Sequence, residues 1–281
     1  MKDHISTIAL VIIFLFGLCL ILYPPLSNYY NSFHMTSMIN DYQKAIEELD
    51  DDTYEQILAA AVSYNEQLVK TQSGLSLPPD RREEYEKQLD VTGFGVMGYI
   101  EIKSINVYIP IYHGTGDAVL AAGAGHLEGS SLPIGGETAH SVICGHRGLP
   151  SAKLFTDLDK LDIGDEFTIY VLDDAYTYEV SDIYIIEPDD ASKLYLVEGE
   201  DLCTLYTCTP YGINTQRLLI RGKRVDDSTA HLRISSEAYK IESAIAAPIF
   251  AVPILLVLLI WLIISTSRKK KGGDNTDERF Y

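Results

Sequence analysis

Two uncharged apolar runs, Ile5–Tyr23 and Ala244–Ile264, bracket a middle section whose hydrophobic period changes along the chain. Each run is near the roughly 20 residues that a helix needs to span a bilayer. After the first, Ile39, Tyr42, Ile46 and Leu49 recur at three- and four-residue spacings, which predicts a helix over Met35–Leu49. Asp50-Asp51-Asp52 interrupts it, and Asp52-Thr-Tyr-Glu55 has the form of a capping box opening a second helix through Ile57 to about Val69. The expected unit is a helical hairpin with a tight acidic turn. Thr71–Leu89, rich in Ser, Gly and Pro, carries no steady period.

From Gly98 the period becomes two. Strands are predicted at Gly98–Lys103, Ile105–Ile111, Ser141–Cys144, Glu166–Leu172, Ala175–Ile186, Thr204–Cys208 and Gln216–Lys223. A short helix is expected at Ala118–Ala122, and a second after Ser151, with Leu154, Phe155, Leu158 and Leu161 on one side. Many short strands with few helices imply a mainly β fold, a closed or nearly closed barrel. There is no internal repeat. The expected organisation is a cytoplasmic N-terminus and transmembrane anchor over 1–24, then a helical hairpin and an irregular segment over 25–94. A β-barrel domain (95–225) follows, then a connector (226–243), a second transmembrane helix (244–266) and a cytoplasmic tail (267–281).

Charge sets the orientation. The chain of 281 residues has a net charge of −18 with 47% hydrophobic residues, and the two apolar runs reconcile those figures. Arg268-Lys269-Lys270-Lys271 directly follows the second run, which puts that side in the cytoplasm and the acidic body outside the cell. A cleaved signal peptide is the other reading of the first run, but no small-residue cleavage site follows it. Nucleic acid is excluded as a partner, because binding it requires clustered Lys and Arg.

Candidate chemistry centres on Cys203-Thr-Leu-Tyr-Thr-Cys208-Thr-Pro-Tyr-Gly-Ile-Asn-Thr-Gln-Arg217. If the strands on either side of Thr209–Gly212 pair antiparallel, Cys208 ends one and Arg217 begins the next. Their Cβ atoms would then stand roughly 4.5–5.5 Å apart. Pattern alone leaves two readings: a thiol facing a guanidinium at the mouth of a loop, or a structural Cys beside a surface Arg. Cys19 lies in the first apolar run. Cys203 and Cys208, five apart in a strand, face opposite ways and cannot bridge. A Cys144–Cys203 disulfide stays open, with two reduced thiols preferred. A zinc site at Cys144-x-His146 with Cys203 and Cys208 lacks a usual ligand spacing.

Thr204-Leu-Tyr-Thr-Cys208, with Arg217 nine residues on, resembles the signature of the sortases, cysteine transpeptidases of Gram-positive surfaces. Thr207-Cys-Thr-Pro-Tyr-Gly-Ile-Asn-Thr is similar to the class C, pilus-assembling branch, and the likeness extends through Gly145-His146-Arg147-Gly148-Leu149-Pro150 and His126–Pro133. It spans roughly Gly95 to Gly222. The resemblance implies a sortase barrel with Cys208 as nucleophile, His146 as acid and base, and Arg217 as a stabilising cation. Of the other histidines, His4, His34 and His231 lie outside the barrel, and His113, His126 and His140 are expected to be structural or superficial.

The family also implies a lid at Thr71–Leu89, often anchored by an Asp-Pro-aromatic motif. Here Pro78-Pro79-Asp80-Arg81 lacks the aromatic. Asp80 and Thr207 are therefore carried as substrate-binding or lid residues. Implied substrates are pilin or surface proteins with a Leu-Pro-x-Thr-Gly signal, and no cofactor or metal is expected. The alternatives are a housekeeping-type sortase that anchors surface proteins to the cell wall and a catalytically idle assembly scaffold tethered to the membrane.

Overall fold

A computed structural model of the chain describes residues 2–71, 75, 77–225 and 257. The connector, second transmembrane helix and tail expected over 226–281 lie outside the described residues, apart from Val257. From Asn28 onward the described residues form one compact unit, and those up to Ser27 group separately.

The first helix, α1, runs from Lys2 to Glu47, so the apolar run and the Met35–Leu49 helix are one element that continues through Pro24 and Pro25. Ile8, Ile13 and Phe16 are all exposed on it. Among the described residues this is the one helix long and apolar enough to cross a membrane, with a mean hydropathy of 2.6 in its most apolar window. Its far end buries Met35, Ile39, Tyr42 and Ile46, the stripe that the sequence spacing marks. The second helix, α2, spans Asp51–Thr71. Its cap is Asp50, two residues earlier than the expected box: the carboxylate accepts the Thr53 N–H at 2.8 Å and the Thr53 hydroxyl at 3.0 Å. Those bonds hold the Asp50 carboxyl below its usual pKa.

Two short elements lie between α2 and the barrel. A 3-10 turn covers Pro79–Arg81, and α3 covers Arg82–Glu86. The stretch expected to be irregular is thus partly helical, and α3 has one buried residue, Tyr85.

Eight strands follow: β1 Val96–Ile102, β2 Val107–His113, β3 Ala124–His126, β4 Ala139–Cys144, β5 Glu166–Val171, β6 Asp174–Ile186, β7 Asp201–Thr209 and β8 Gln216–Arg224. A helix, α4 (Asp117–Ala122), leads into β3. The strands close into a barrel in the order β1-β2-β3-β4-β7-β8-β6-β5. Two pairings, β2 with β3 and β4 with β7, are parallel, and the rest are antiparallel. The three-residue β3 has no detectable alternation. The helix expected after Ser151 does not form: Leu154 has φ of +41°, and only a 3-10 turn at Leu158–Lys160 is helical. Leu154, Phe155, Leu158 and Leu161 are nevertheless all buried, so the apolar spacing marked burial and not a helix.

Buried polar groups fasten the hairpin to the barrel. The Tyr42 hydroxyl donates to the Met97 carbonyl at 3.1 Å and accepts the Leu172 N–H at 2.9 Å. Asn65 on α2 donates to the Leu132 carbonyl at 3.1 Å and accepts the Leu132 N–H at 2.7 Å. Tyr42→Phe would leave a buried donor and a buried acceptor unpaired, and each such loss costs about 1–3 kcal/mol. The variant should unfold at lower denaturant concentration with an unchanged slope, measured by circular dichroism.

Candidate active site

Alternation along β7 decides which side chains meet the outside. Leu205, Thr207 and Thr209 are buried, while Tyr206 and Cys208 between them are half-buried. The antiparallel register sets Cys208 opposite Arg217 and Tyr206 opposite Leu219. On the far side of β8, Arg217 pairs with Ile186 and Leu219 with Tyr184. On the other flank, β4 runs parallel to β7 with Cys144 beside Tyr206. His146 lies two residues past Cys144, in the turn that leaves β4 on the flank of β7. Cys208, Arg217 and His146 are all half-buried.

Beside them the same face is apolar. Val142, Cys144, Ile186, Leu194 and Leu219 form a cluster separate from the barrel core, and Leu75, Leu120, Leu127, Tyr184 and Tyr206 pack against it. Leu75 comes from the segment before the barrel. An aliphatic side chain from that segment thus packs on this apolar face, a few residues ahead of the Pro78–Arg81 stretch.

Several bonds fix the turn that carries His146. The Gly145 N–H donates to the Tyr206 carbonyl at 3.0 Å. The Thr207 hydroxyl donates to the Gly145 carbonyl at 2.7 Å. The Phe155 N–H donates to the His146 carbonyl at 3.1 Å. A Cβ on Gly145 would lie 2.4 Å from the Phe155 ring, so only glycine fits that approach. Gly148 has φ of +79° and lies under the Tyr211 ring. Thr207 is 1% exposed, so its hydroxyl supports the His146 turn from within and is not a surface for substrate. Arg217 donates from Nη1 to the Asn214 carbonyl at 3.1 Å and to the Gln216 carbonyl at 3.0 Å. Burial pushes the Tyr206 hydroxyl up in pKa, and the nearby Arg217 guanidinium pulls it back.

The remaining barrel histidines are occupied. His126 is fully buried, with Nδ1 2.9 Å from the Tyr85 hydroxyl and Nε2 2.8 Å from the Ser131 carbonyl. Burial pushes its pKa down to about 4. His140 is likewise held down to about 4 by burial, with Nδ1 on the Tyr195 carbonyl and Nε2 on the Thr204 hydroxyl. His113 places both ring nitrogens on carbonyls, those of Gly95 and Gln88. Asp80 sits exposed in the 3-10 turn. Tyr85, five residues on, reaches between His126 and the Gly114 N–H and ties that segment down. Sequence reasoning passed over it because a lone tyrosine in an aperiodic stretch has no signature.

Cys144, Cys203 and Cys208 are all free. Cys203 pairs with Ser141, three positions from Cys144, too far for a bridge. Among the described residues, no three His, Cys, Asp or Glu side chains are grouped to hold a metal. Burial pushes the Cys144 thiol up to about 12, with Cys208 nearby adding to the rise. Burial raises Cys203 as well. A raised thiol stays protonated and unreactive until the pH approaches its pKa. Iodoacetamide at pH 8 should therefore modify Cys208 in the folded chain and leave Cys144 and Cys203 unlabelled, as read by peptide mass spectrometry.

The Sortase domain model matches residues 100–225. The fold superposes on sortase C1 of Streptococcus agalactiae with a TM-score of 0.66 at 48% identity, covering 68% of this chain and 99% of that one. It superposes on Clostridium perfringens sortase C, solved with the C-terminal cell wall sorting motif, with a TM-score of 0.60 at 41% identity, covering 68% and 99%. Sortase D of Bacillus subtilis (strain 168) is 33% identical over 131 residues, 46% of this chain and 63% of that relative's length. With a closed barrel of this topology and a cysteine and an arginine paired across its last two strands, the chain belongs to the sortase family of cysteine transpeptidases, in the class C branch.

Proposed function

We propose that the protein cleaves a Leu-Pro-x-Thr-Gly-like sorting signal between Thr and Gly and transfers the acyl group to a lysine amine of a pilin subunit. The observation that supports this reading is the pairing of Cys208 with Arg217 across β7 and β8, with His146 in the turn just past the flanking strand β4 and an apolar face beside them.

In the first half-reaction the Cys208 sulfur attacks the threonine carbonyl carbon, and the oxyanion that forms is met by the Arg217 guanidinium. Two backbone carbonyls orient that guanidinium. His146 donates a proton to the departing glycine amine, the C–N bond breaks, and a thioacyl-enzyme remains. In the second half, the acceptor amine attacks the thioester while His146 takes its proton. The C–S bond then breaks, giving a new amide and returning the Cys208 sulfur with the one proton it shares with His146, as at the start of the cycle. A lysine amine is mostly protonated at neutral pH, and a site beside an apolar face favours its neutral form. Cys208→Ala should abolish peptide cleavage and the covalent adduct, and His146→Ala and Arg217→Ala should each lower kcat by about 10²-fold or more.

A membrane anchor supports the choice of acceptor. The apolar part of α1 would hold the N-terminal side in the bilayer, and the run at 244–266 with its basic stop would supply a second anchor. Both termini would then be cytoplasmic and the barrel extracellular. Anchoring confines enzyme and membrane-attached pilins to the same thin layer, which raises the effective concentration for the second half-reaction. The segment that contributes Leu75 and Tyr85 would act as the lid, with Leu75 on the apolar face in place of an aromatic. The test supplies a matched pilin whose acceptor lysine is changed to alanine. High-molecular-weight ladders should disappear while the thioacyl intermediate still forms. Ladders that persist, or wall-linked monomers alone from the intact pilin, would favour a housekeeping sortase.

A further inference from the structure

Arg147 stands next to His146 in sequence, and its side chain is only 7% exposed. Its Nη1 donates to the Thr209 hydroxyl at 3.1 Å, and Thr209 is the residue after Cys208. Its Nη2 donates to the Asp159 carboxylate, and the guanidinium carbon lies 5.9 Å from the centre of the Tyr211 ring. Thus one cation touches Thr209 and Tyr211 on the segment that leaves the nucleophile, and Asp159 behind the turn that carries the histidine.

This link lies where the backbone stops providing one. The parallel pairing of β4 and β7 ends at Cys144 and Tyr206, and the Gly145 N–H makes the next bond, to the Tyr206 carbonyl. Beyond that point two side-chain bonds carry the pairing forward, the Thr207 hydroxyl on the Gly145 carbonyl and, one step further out, Arg147 on Thr209. The arrangement is poor as a stabilising device. Nε of Arg147 is buried without an acceptor, and the Asp159 side chain is 47% exposed. A buried cation with an unpaired donor and a half-exposed counter-ion adds little stability. What this placement does provide is a fixed distance between two segments.

We infer that Arg147 is a positioning residue, a guanidinium tie between the His146 turn and the β7–β8 loop that holds His146 at its working separation from Cys208. The inference rests on the transfer reaction proposed above. A two-pronged guanidinium suits the task, since it can hold Thr209 and Asp159 at once in a fixed plane. A lysine ammonium on a flexible stem cannot.

The test uses the full chain in detergent micelles with a quenched fluorogenic Leu-Pro-x-Thr-Gly peptide. Arg147→Ala should lower kcat by about tenfold or more with KM changed less than about twofold, the split expected when a group acts only on the reacting state. Arg147→Lys should recover little of the loss. Thr209→Val, which removes one prong and keeps the shape, should reduce kcat in the same way, and the double variant should be no worse than the more damaged single one. The pH profile of Cys208 alkylation by iodoacetamide should move to higher pH in both single variants. Unchanged kcat with a lowered melting temperature would reduce Arg147 to a structural role and overturn the inference. Full rescue by lysine, or a rise in KM alone, would do the same. If Arg147→Ala fails to fold, Thr209→Val decides. If the parent chain does not cleave the peptide, the proposed reaction fails, and the alkylation profiles still report on the tie.

Discussion

The site depends on one register. Cys208 faces Arg217 across an antiparallel pair, and Cys144 lies beside Tyr206 across a parallel one, so the turn that carries His146 leaves β4 on the flank of the strand that carries Cys208. A slip of one residue in β7 would turn Cys208 to the barrel interior and bring Thr207 out. The alternation of buried Leu205, Thr207 and Thr209 with half-buried Tyr206 and Cys208 opposes that slip, because it would expose an apolar side chain and bury an aromatic with its hydroxyl. Core packing and site geometry therefore impose the same constraint.

The two faces of β7 divide the work. Inside, Thr207 spends its hydroxyl on the Gly145 carbonyl and so helps shape the turn of His146. Outside, Tyr206 and Cys144 help form an apolar floor that raises the Cys144 thiol and keeps it out of the chemistry. The chain thus carries two cysteines near one site and separates their reactivity by burial. His126 and His140 are held neutral in the same way, by desolvation, which outweighs the carbonyl hydrogen bonds that pull each pKa the other way. Of the four barrel histidines, His146 is the one in the turn that directly follows β4, the strand flanking β7.

The segment ahead of the barrel is where local pattern and tertiary role part company. Its Pro-Pro-Asp-Arg stretch offers no aromatic at the expected place, yet the Tyr85 hydroxyl makes three contacts in the barrel wall and Arg81 lies over the Tyr64 ring of α2. The hold on this segment is therefore spread over residues that no short motif joins. The same holds for Arg147, whose partners Asp159, Thr209 and Tyr211 are 12, 62 and 64 positions away.

By itself the sequence determined the mainly β barrel, since strand-type runs mark seven of the eight strands, with clean alternation along β5. It also determined the stripe of Ile39, Tyr42 and Ile46 that seats the hairpin, and the opposition of Cys208 and Arg217, which a short loop between two strands enforces. Tertiary structure decided the rest. It extended α1 through Pro24 and Pro25 and formed β3 from three residues with no pattern. It buried Leu154, Phe155, Leu158 and Leu161 without a helix, because apolar spacing encodes which residues leave water and not the backbone path that takes them there. It also turned Thr207 inward and Leu75 onto the face beside Cys208. Those outcomes depend on which distant segments become neighbours when the barrel closes, and that information is carried by the pairing order of the strands, not by any one stretch of the chain.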